Sequence, residues 1–450
     1  MTVAHFGFYL IFFLFFGIYH LSSLQNLSLR WKYILGFSFF WLGLVEPRAI
    51  IPVIITTQLV WFCGNKLAIL NLERKKKRFW LISGVGFCFM NWFLVQNYNF
   101  SSKFAVSFYS LQLIGYLIDR YRGHQFAYLT KLELLTSVSA FYSLTAGPIL
   151  RTRDHILELK KPSYLNLDLV RLAIFRILWG LTKKTMGDIL GDNIQHYLLF
   201  NFHHGLLYSW TNVLAITAQF YLDLSGYSDI AIGIASLLGL KIPENFNLPF
   251  LATNMADQWR RWHVTLGRWF YEYVFVSLCL FSPIKRFKPT LQISMAVMMT
   301  MLLVGMWHGF TVNNFIWGLY NGVLILIGIW AQKKFSCLHF KGKTSLAIGL
   351  TFLVGMLGRV LNRTPDWRIA RGAWQELFQA FDANEMTSYQ LFICGCTAAA
   401  VVVPHVVDWL YLTKMHKSSW VWATVVTSIF CLYFILVFGM QGKPFLYEQF

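Results

Sequence analysis

The sequence predicts an all-α protein, a polytopic bundle of membrane helices, and three observations support that fold class. Of the 450 residues, 56% are hydrophobic and only 13% are charged, which is more apolar surface than a soluble fold of this length can bury. The apolar residues also fall into runs of helical length that short polar segments separate. Finally, 18 Trp, 21 Tyr and 42 Phe suit the aromatic belts and wide apolar faces of helices in a bilayer.

The apolar runs give the elements in chain order. The first run, residues 6–19, has no basic stretch before it and no small-residue cleavage site after it, so we expect a retained helix rather than a signal peptide. The later runs are residues 33–45, 50–63, 79–95, 104–118, 126–150, 169–179, 213–238, 270–281, 293–306, 315–330, 346–361, 391–407 and 421–438. Because several are short for a full span, we predict about eleven transmembrane helices plus shorter re-entrant or interfacial helices.

The chain is strongly basic, with 39 Lys and Arg against 20 Asp and Glu and a formal charge of +19. In a soluble protein this balance would indicate nucleic acid. Here the cations gather in short loops between apolar runs, at residues 73–78, 151–161, 183–184 and 285–288. That placement is typical of the positive-inside bias and of contact with anionic lipid, so we predict a lipid partner and no nucleic acid. With residues 73–78 in the cytoplasm, the N-terminus lies outside and residues 119–122 lie inside.

Nothing in the sequence divides the chain. There is no repeat with a period of 20 to 50 residues and no linker rich in Gly, Ser or Pro, so residues 1–450 are predicted to form a single integral membrane domain. The seven cysteines are scattered through apolar stretches, and Cys394 and Cys396 are too close for the usual metal-binding pair, so we predict no metal site. Phosphate-binding glycine loops are also absent from the sequence, which disfavours nucleotide-driven transport.

His308 is the first candidate for chemistry. It lies in the apolar run of residues 302–309, where an ionisable side chain marks a functional site by default. Histidine serves as a general base near neutral pH with little tuning. On position alone, a structural histidine bonded to a helix carbonyl is an equally good interpretation.

His263 is the second candidate, in the most polar interior segment, residues 241–268. If the segment is one helix, Asp257 and Arg261 are four residues apart and pair, whereas Trp259 and His263 share another face. Amide side chains before it fit a loop or a broken helix around two prolines. They are Asn245, Asn247 and Asn254.

A third polar group lies upstream, at residues 221–229. It places Tyr221, Asp223, Ser225 and Asp229 in an apolar neighbourhood, where they cannot all face lipid. An internal hydrogen-bond network and a substrate path explain these residue types equally well. Ser225 lacks the flanking glycine pair of a nucleophile elbow, which disfavours a serine hydrolase.

Several motifs carry a resemblance to a known family. The most specific are Trp259-Arg260-Arg261-Trp262-His263 and, 45 positions on, Gly305-Met306-Trp307-His308-Gly309, followed by Trp317-Gly318. Further matches are Ser107-Phe108-Tyr109 with residues 116–123, Ala146-Gly147-Pro148-Ile149 with Arg151, Gly180 with Lys183-Lys184, residues 221–229 with Pro243-Glu244-Asn245-Phe246, and the closing residues 444–450. Together they resemble the membrane-bound O-acyltransferases, in the bacterial branch of alginate O-acetylases, peptidoglycan and cellulose O-acetylation proteins and the teichoic-acid D-alanyl transfer protein. The closing residues resemble the tail of the alginate-acetylase group, which favours polysaccharide acetylation.

The resemblance implies an active site in a central funnel through the helices. It makes His308 the main catalytic histidine and His263 a second functional one. The residues expected to bind substrate or support the site are Asp257, Trp259, Arg260, Arg261, Trp262, Trp307, Asn245, Tyr221, Asp223, Ser225, Asp229 and Asn321. Two departures bear on substrate choice, since Asn321 stands where relatives often have histidine and residues 358–363 lack the Trp and Phe common there.

The implied reaction is acyl transfer, with acetyl as the expected group. The donor is a cytoplasmic thioester, acyl-CoA (acetyl-CoA first) or an acyl carrier, and the acceptors are hydroxyls of a cell-wall or exopolysaccharide polymer beyond the membrane. No bound cofactor is expected, the location is the bacterial inner membrane, and a periplasmic or extracellular acyltransferase or esterase-like protein is the expected partner. The alternatives are D-alanyl transfer and a proton-coupled transporter, in which the buried carboxylates and histidines would form an ion path. The sequence lacks the internal symmetry typical of such transporters.

Overall fold

The computed structural model describes residues 6–23, 30–69, 73–98, 105–124, 128–162, 165–200, 206–334, 342–364, 366–378 and 388–439, and within these ranges the chain is helical with no β-strand. The α-helices are α1 (Phe6–Ser23), α2 (Arg30–Val45), α3 (Ile50–Leu67), α4 (Arg74–Tyr98), α5 (Val106–Arg122), α6 (Lys131–Ser139), α7 (Thr152–Leu159), α8 (Leu167–Phe200), α9 (Leu206–Leu237), α10 (Met255–Arg261), α11 (Val264–Phe270), α12 (Val276–Leu280), α13 (Ser282–Lys285), α14 (Pro289–Trp307), α15 (Val312–Lys334), α16 (Lys343–Arg363), α17 (Trp367–Glu376), α18 (Ser388–Leu410) and α19 (Val421–Phe438). The closing residues 444–450, to which a sequence motif was assigned, lie outside the described ranges.

Seven of the described segments are long and apolar enough to cross a membrane. They are Pro47–Leu67, Arg74–Val95, Pro289–Trp307, Val312–Lys334, Lys343–Arg363, Leu391–Met415 and Val421–Phe438. The predicted class, a polytopic helical membrane protein, is therefore confirmed. The predicted count of about eleven spans is not confirmed. The apolar part of α1, Gly7–Leu21, is shorter than a span, and α8 and α9 are long but carry several buried charges.

Two apolar runs form less helix than their length suggests. In the run at residues 126–150, α6 begins with Thr130 and Glu133 in a reciprocal capping box but ends at Ser139, and residues 140–150 are buried without regular helix. Gly147 and Pro148 in this stretch disfavour helix, and buried irregular backbone must find its partners within the protein. The run at residues 270–281 is interrupted by a π-helical turn, Tyr271–Phe275.

The chain divides into two compact units. The first comprises Met1–Thr182, Gly226–Glu244 and Trp422–Phe450, and the second comprises Lys183–Ser225 and Asn245–Val421. The expectation of one domain over residues 1–450 stays a prediction.

Buried cations organise the first unit. The guanidinium of Arg30 is fully buried and donates to the Tyr19 hydroxyl at 2.9 Å and to the carbonyl oxygens of Leu238, at 3.0 Å, and Lys161. Leu238 directly follows α9, so these donors satisfy a carbonyl that a helix end would otherwise leave unpaired. Arg176 likewise pairs with Asp229 at 2.9 Å and with Glu244, which ties α8 to the end of α9.

The second unit contains the helical hairpin α14–α15. Small residues allow its two helices to approach closely, as in other membrane helix pairs. A Cβ on Gly318 would lie 2.7 Å from the carbonyl oxygen of Met301, and one on Gly305 would meet that of Asn314. Glycine is therefore required at both positions for this packing. The packing of α14 on α15 in turn fixes the position of the turn that connects them.

Candidate active site

His308 lies at the turn between two membrane helices. Helix α14 ends at Trp307, and the His308 N–H donates to the carbonyl oxygens of Val304 and Gly305 at 3.3 and 3.1 Å. Gly309 follows with φ 136°, a value that suits glycine, and the chain enters α15 at Val312. The sequence therefore ends a helix at the histidine and presents its ring at a corner of the hairpin.

Indole rings surround His308. The centroid of its ring lies 4.8 Å from that of Trp307 and 5.2 Å from that of Trp317, both edge to face. Trp317 in turn packs at 5.8 Å against Trp259, and the Trp259 indole N–H donates to the Asn321 side chain at 3.4 Å. Asn321 also donates to the Trp317 carbonyl at 2.9 Å. The structure thus brings the two most specific sequence motifs into one contact group.

His263 adopts a backbone conformation that few non-glycine residues adopt. Its φ is 46° and its ψ is 52°, in the left-handed region, and it caps α11 after α10 has ended at Arg261. The expectation that Trp259 and His263 share the face of one helix is therefore wrong, because the helix breaks between them. Left-handed residues outside glycine persist where surrounding contacts enforce them, and they concentrate at functional sites.

The preceding loop holds that break in place. The N–H of Val264 donates to the Asn245 carbonyl at 2.8 Å, and the N–H of Asn247 donates to the Arg261 carbonyl at 2.9 Å. The Asn245 side-chain oxygen accepts from the Thr265 hydroxyl at 2.8 Å and from its N–H at 3.2 Å. The expected loop with amide side chains is confirmed, and Asn254 further caps α10 by accepting from the Asp257 N–H.

Both histidines are neutral at physiological pH. Neither lies within the segments that meet the length and hydropathy of a membrane span. Burial lowers the pKa of His263 to about 3, with a further contribution from nearby His308. Burial also lowers the pKa of His308 to about 4. The electrostatic effect of His308 on His263 places the two imidazoles in one local environment.

The other residues in and just before the Trp259–His263 motif differ in their contacts. Asp257 and Arg261 form the predicted pair at 3.1 Å, whereas Arg260 is exposed. The Trp262 ring packs against Phe246 at 5.2 Å and lies 4.2 Å below the Arg359 guanidinium.

Most of the polar group at residues 221–229 of α9 is paired inside the protein. Tyr221 donates to Asp408, and Asp223 pairs at 2.8 Å with Lys184, which also pairs with Asp188. These contacts favour the hydrogen-bond network over the substrate path. The buried Ser225 hydroxyl makes no hydrogen bond. Asp229 belongs to the first unit, where it pairs with Arg176.

Sequence reasoning missed two polar residues in α18. His405 contacts Phe250 and Tyr221, and Asp408 pairs with Lys183 at 2.7 Å. The signal was present, because both are ionisable residues in or beside the apolar run at residues 391–407. The rule that selected His308 would have selected them too.

The chemistry open to this arrangement is proton transfer by a neutral imidazole among aromatic rings. Within the described ranges, no group of three or more His, Cys, Asp or Glu side chains is placed to hold a metal ion.

Comparisons with known proteins agree with the motifs. The model of the membrane-bound O-acyltransferase family matches residues 124–358. The probable alginate O-acetylase AlgI of Pseudomonas aeruginosa is 29% identical over 346 residues, which are 71% of this chain and 64%, less than two thirds, of that protein. The peptidoglycan O-acetyltransferase of Helicobacter pylori is 27% identical over 83% of each chain, and the teichoic acid D-alanyltransferase of Bacillus subtilis is 28% identical over 57% of this chain and 67% of its own. Because the family model alone matches more than half of the 450 residues, the chain belongs to the membrane-bound O-acyltransferase family.

Proposed function

We propose that this protein transfers an acetyl group from a cytoplasmic thioester across the membrane toward hydroxyls of a cell-wall or exopolysaccharide polymer, with His308 as the general base. The observation that carries the proposal is the position of His308. Its neutral ring lies at the hairpin corner, against Trp317, and it is close enough to His263 to lower the pKa of that residue. Relatives named for alginate and peptidoglycan O-acetylation support the choice of acyl group and acceptor class.

In the proposed reaction the acceptor hydroxyl attacks the thioester carbonyl while His308 removes its proton. A C–O bond forms, the carbonyl oxygen becomes an oxyanion, and the collapse of this intermediate breaks the C–S bond. The thiolate leaves and receives the proton from the imidazolium of His308, which returns to its neutral state. General-base assistance of this kind contributes about a hundred- to ten-thousandfold in rate.

His263 suits a supporting role at the oxyanion. Because burial keeps its imidazole neutral, one ring nitrogen carries a proton that can be donated to developing negative charge. Its left-handed backbone, enforced by the loop at residues 245–247, fixes where that donor points. A donor that is fixed before the reaction needs little reorganisation in the transition state.

The donor and acceptor classes imply a path across the membrane. Acetyl-CoA or an acyl carrier thioester supplies the acyl group from the cytoplasm, and the enzyme lies in the bacterial inner membrane. A periplasmic or extracellular acyltransferase or esterase-like partner then completes delivery to the polymer.

The test is transfer of radiolabelled acetyl from acetyl-CoA to membrane or extracellular material. Wild type is compared at matched expression with His308→Ala and with His416→Ala, which removes an exposed histidine of the same unit. We expect label with wild type and His416→Ala and none with His308→Ala. Undiminished transfer by His308→Ala would refute its role as base.

The same assay separates the rival functions. Transfer of D-alanine but not acetyl would favour the activity for which the Bacillus subtilis relative is named. Uptake of a solute by liposomes that contain the protein, without any acyl transfer, would favour a transporter.

A further inference from the structure

A buried ion pair joins Lys183 to Asp408, which lies beyond residues 124–358, the part that the family model matches. The Lys183 ammonium contacts both carboxylate oxygens of Asp408, at 2.7 and 2.9 Å, and the Tyr221 hydroxyl donates to the same carboxylate. Lys183 is 1% exposed and Tyr221 is fully buried. Because a buried charge is costly without its partner, this pair fixes α18 against Lys183 in α8 and Tyr221 in α9.

His405 lies one helical turn before Asp408 and contacts the loop that precedes α10. Its Nε2 accepts a hydrogen bond from the N–H of Phe250 at 3.4 Å, and the two rings stack at 4.4 Å with an interplanar angle of 12°. The ring centroid of Tyr221 lies 4.5 Å from that of His405 and 5.1 Å from that of Phe250. His405 is therefore held on α18 and in turn holds Phe250.

The aromatic contacts continue from Phe250 to the active site. Phe250 lies 6.3 Å from Trp262 at an interplanar angle of 29°, and Trp262 directly precedes His263. Arg359, which also follows the matched residues, stacks on Trp262 at 4.2 Å. A second left-handed residue, Leu248 at φ 48°, lies in the same loop. Two such residues in one short region need contacts that enforce them.

We propose that His405 is a positioning residue for His263. From α18 it fixes Phe250, Phe250 packs against Trp262, and Trp262 sets the backbone of His263 and hence the direction of its imidazole. The role of His405 in catalysis rests on the proposed function of His263. The contact between His405 and Phe250 is independent of that function. A misplacement of about 1 Å at a catalytic group costs on the order of a hundredfold in rate, so the effect of losing His405 is measurable.

The first test measures hydrogen–deuterium exchange by mass spectrometry on the purified protein. His405→Phe keeps a ring of similar shape but removes the acceptor, and His405→Gln restores an acceptor without the ring. We expect faster exchange in peptides that cover residues 245–263 with His405→Phe and partial protection again with His405→Gln. His416→Phe, the same change at an exposed histidine, is expected to exchange like wild type there.

The second test separates positioning from general stability. We expect His405→Phe to lower kcat by roughly ten- to a hundredfold while the KM for the thioester and the thermal unfolding midpoint stay near wild type. Unchanged exchange at residues 245–263, or a rise in KM with kcat unchanged, would overturn the inference. The exchange measurement needs no substrate. It therefore tests whether His405 holds Phe250 and the loop at residues 245–263 even if acetyl-CoA is the wrong donor and the proposed function fails.

Discussion

At the residue scale, burial decides how the two histidines behave. A neutral imidazole accepts a proton, and an imidazolium does not, so a base must stay unprotonated at the working pH. Burial favours the neutral form of both rings, and the proximity of His308 adds to the effect at His263. Burial therefore keeps the proposed base in the form that accepts a proton.

This leads to a prediction for the pH dependence of transfer. Because the pKa of His308 is lowered to about 4, the proposed base stays neutral above that pH and becomes protonated only as the pH falls through it. We expect the acid limb of kcat to lie well below 6.5, the ordinary pKa of histidine. Initial rates between about pH 4 and 8, with re-assay at neutral pH to exclude inactivation, measure it. A midpoint at or above the ordinary value would contradict this role for His308.

The left-handed backbone of His263 predicts an unusual order of stability among variants. Both His263→Gly and His263→Ala remove the ring, but only glycine adopts φ 46° without steric cost, so we expect the glycine variant to be more stable by about 1 kcal/mol. The matched pair at exposed Arg260 in α10, Arg260→Gly and Arg260→Ala, should show the opposite order. Thermal unfolding in detergent compares all four proteins. Equal stability of the two His263 variants would mean that this backbone conformation is not maintained.

The sequence predicted which residues form the candidate site, but it did not predict their backbone conformation. An ionisable residue within an apolar run can be recognised directly from the sequence, and His308 was predicted on this basis. The break between Arg261 and His263 depends on the hydrogen bond that the Asn245 carbonyl accepts from Val264 and the one that the Asn247 N–H donates to Arg261. These partners are too far apart in sequence for a local pattern to predict the contacts. The same limit hid the contact between His405 and Phe250, 155 positions apart.

At the element scale, hydrophobic runs predicted where helices occur better than where they end. The runs at residues 50–63, 315–330 and 421–438 correspond to α3, α15 and α19. The helix predicted over residues 126–150 ends early, at Ser139, because composition does not distinguish a buried helix from a buried irregular segment. Helices α8 and α9 exceed their apolar runs, since charges such as Arg176 and Lys184 are paired inside the protein rather than placed at helix ends.

The close packing of α14 on α15 gives a prediction for this element. In Gly318→Ala the added methyl group would lie 2.7 Å from the Met301 carbonyl oxygen, so the helices must separate, and we expect a loss of about 1–3 kcal/mol and slower transfer. Gly349→Ala in α16 meets nothing within 4 Å and serves as the control. Thermal midpoints and initial rates of both variants test this. Equal behaviour of the two would show that the hairpin tolerates the methyl group and that His308 does not depend on the packing.

At the scale of the whole molecule, composition predicted the bilayer as solvent, and seven apolar spans agree with it. The motifs predicted the family, which the matched residues 124–358 confirm. The number of membrane spans was harder to predict from the sequence. A helix buried in protein and a helix buried in lipid can have the same hydropathy.

The basic residues also predict the orientation of the first unit. If α4 crosses the bilayer, its basic end at residues 73–78 lies in the cytoplasm and its other end, Tyr98, lies outside, and α5 returns to the cytoplasm at Arg122. In a background with the seven native cysteines replaced by alanine, we expect Lys75→Cys and Arg122→Cys to react with a membrane-impermeant maleimide only after the cells are permeabilised. Tyr98→Cys should react in intact spheroplasts, because Tyr98 and Lys75 lie at opposite ends of α4. Labelling of Lys75→Cys in intact spheroplasts would reverse the orientation, and it would place the donor-facing side of the enzyme opposite to the one proposed.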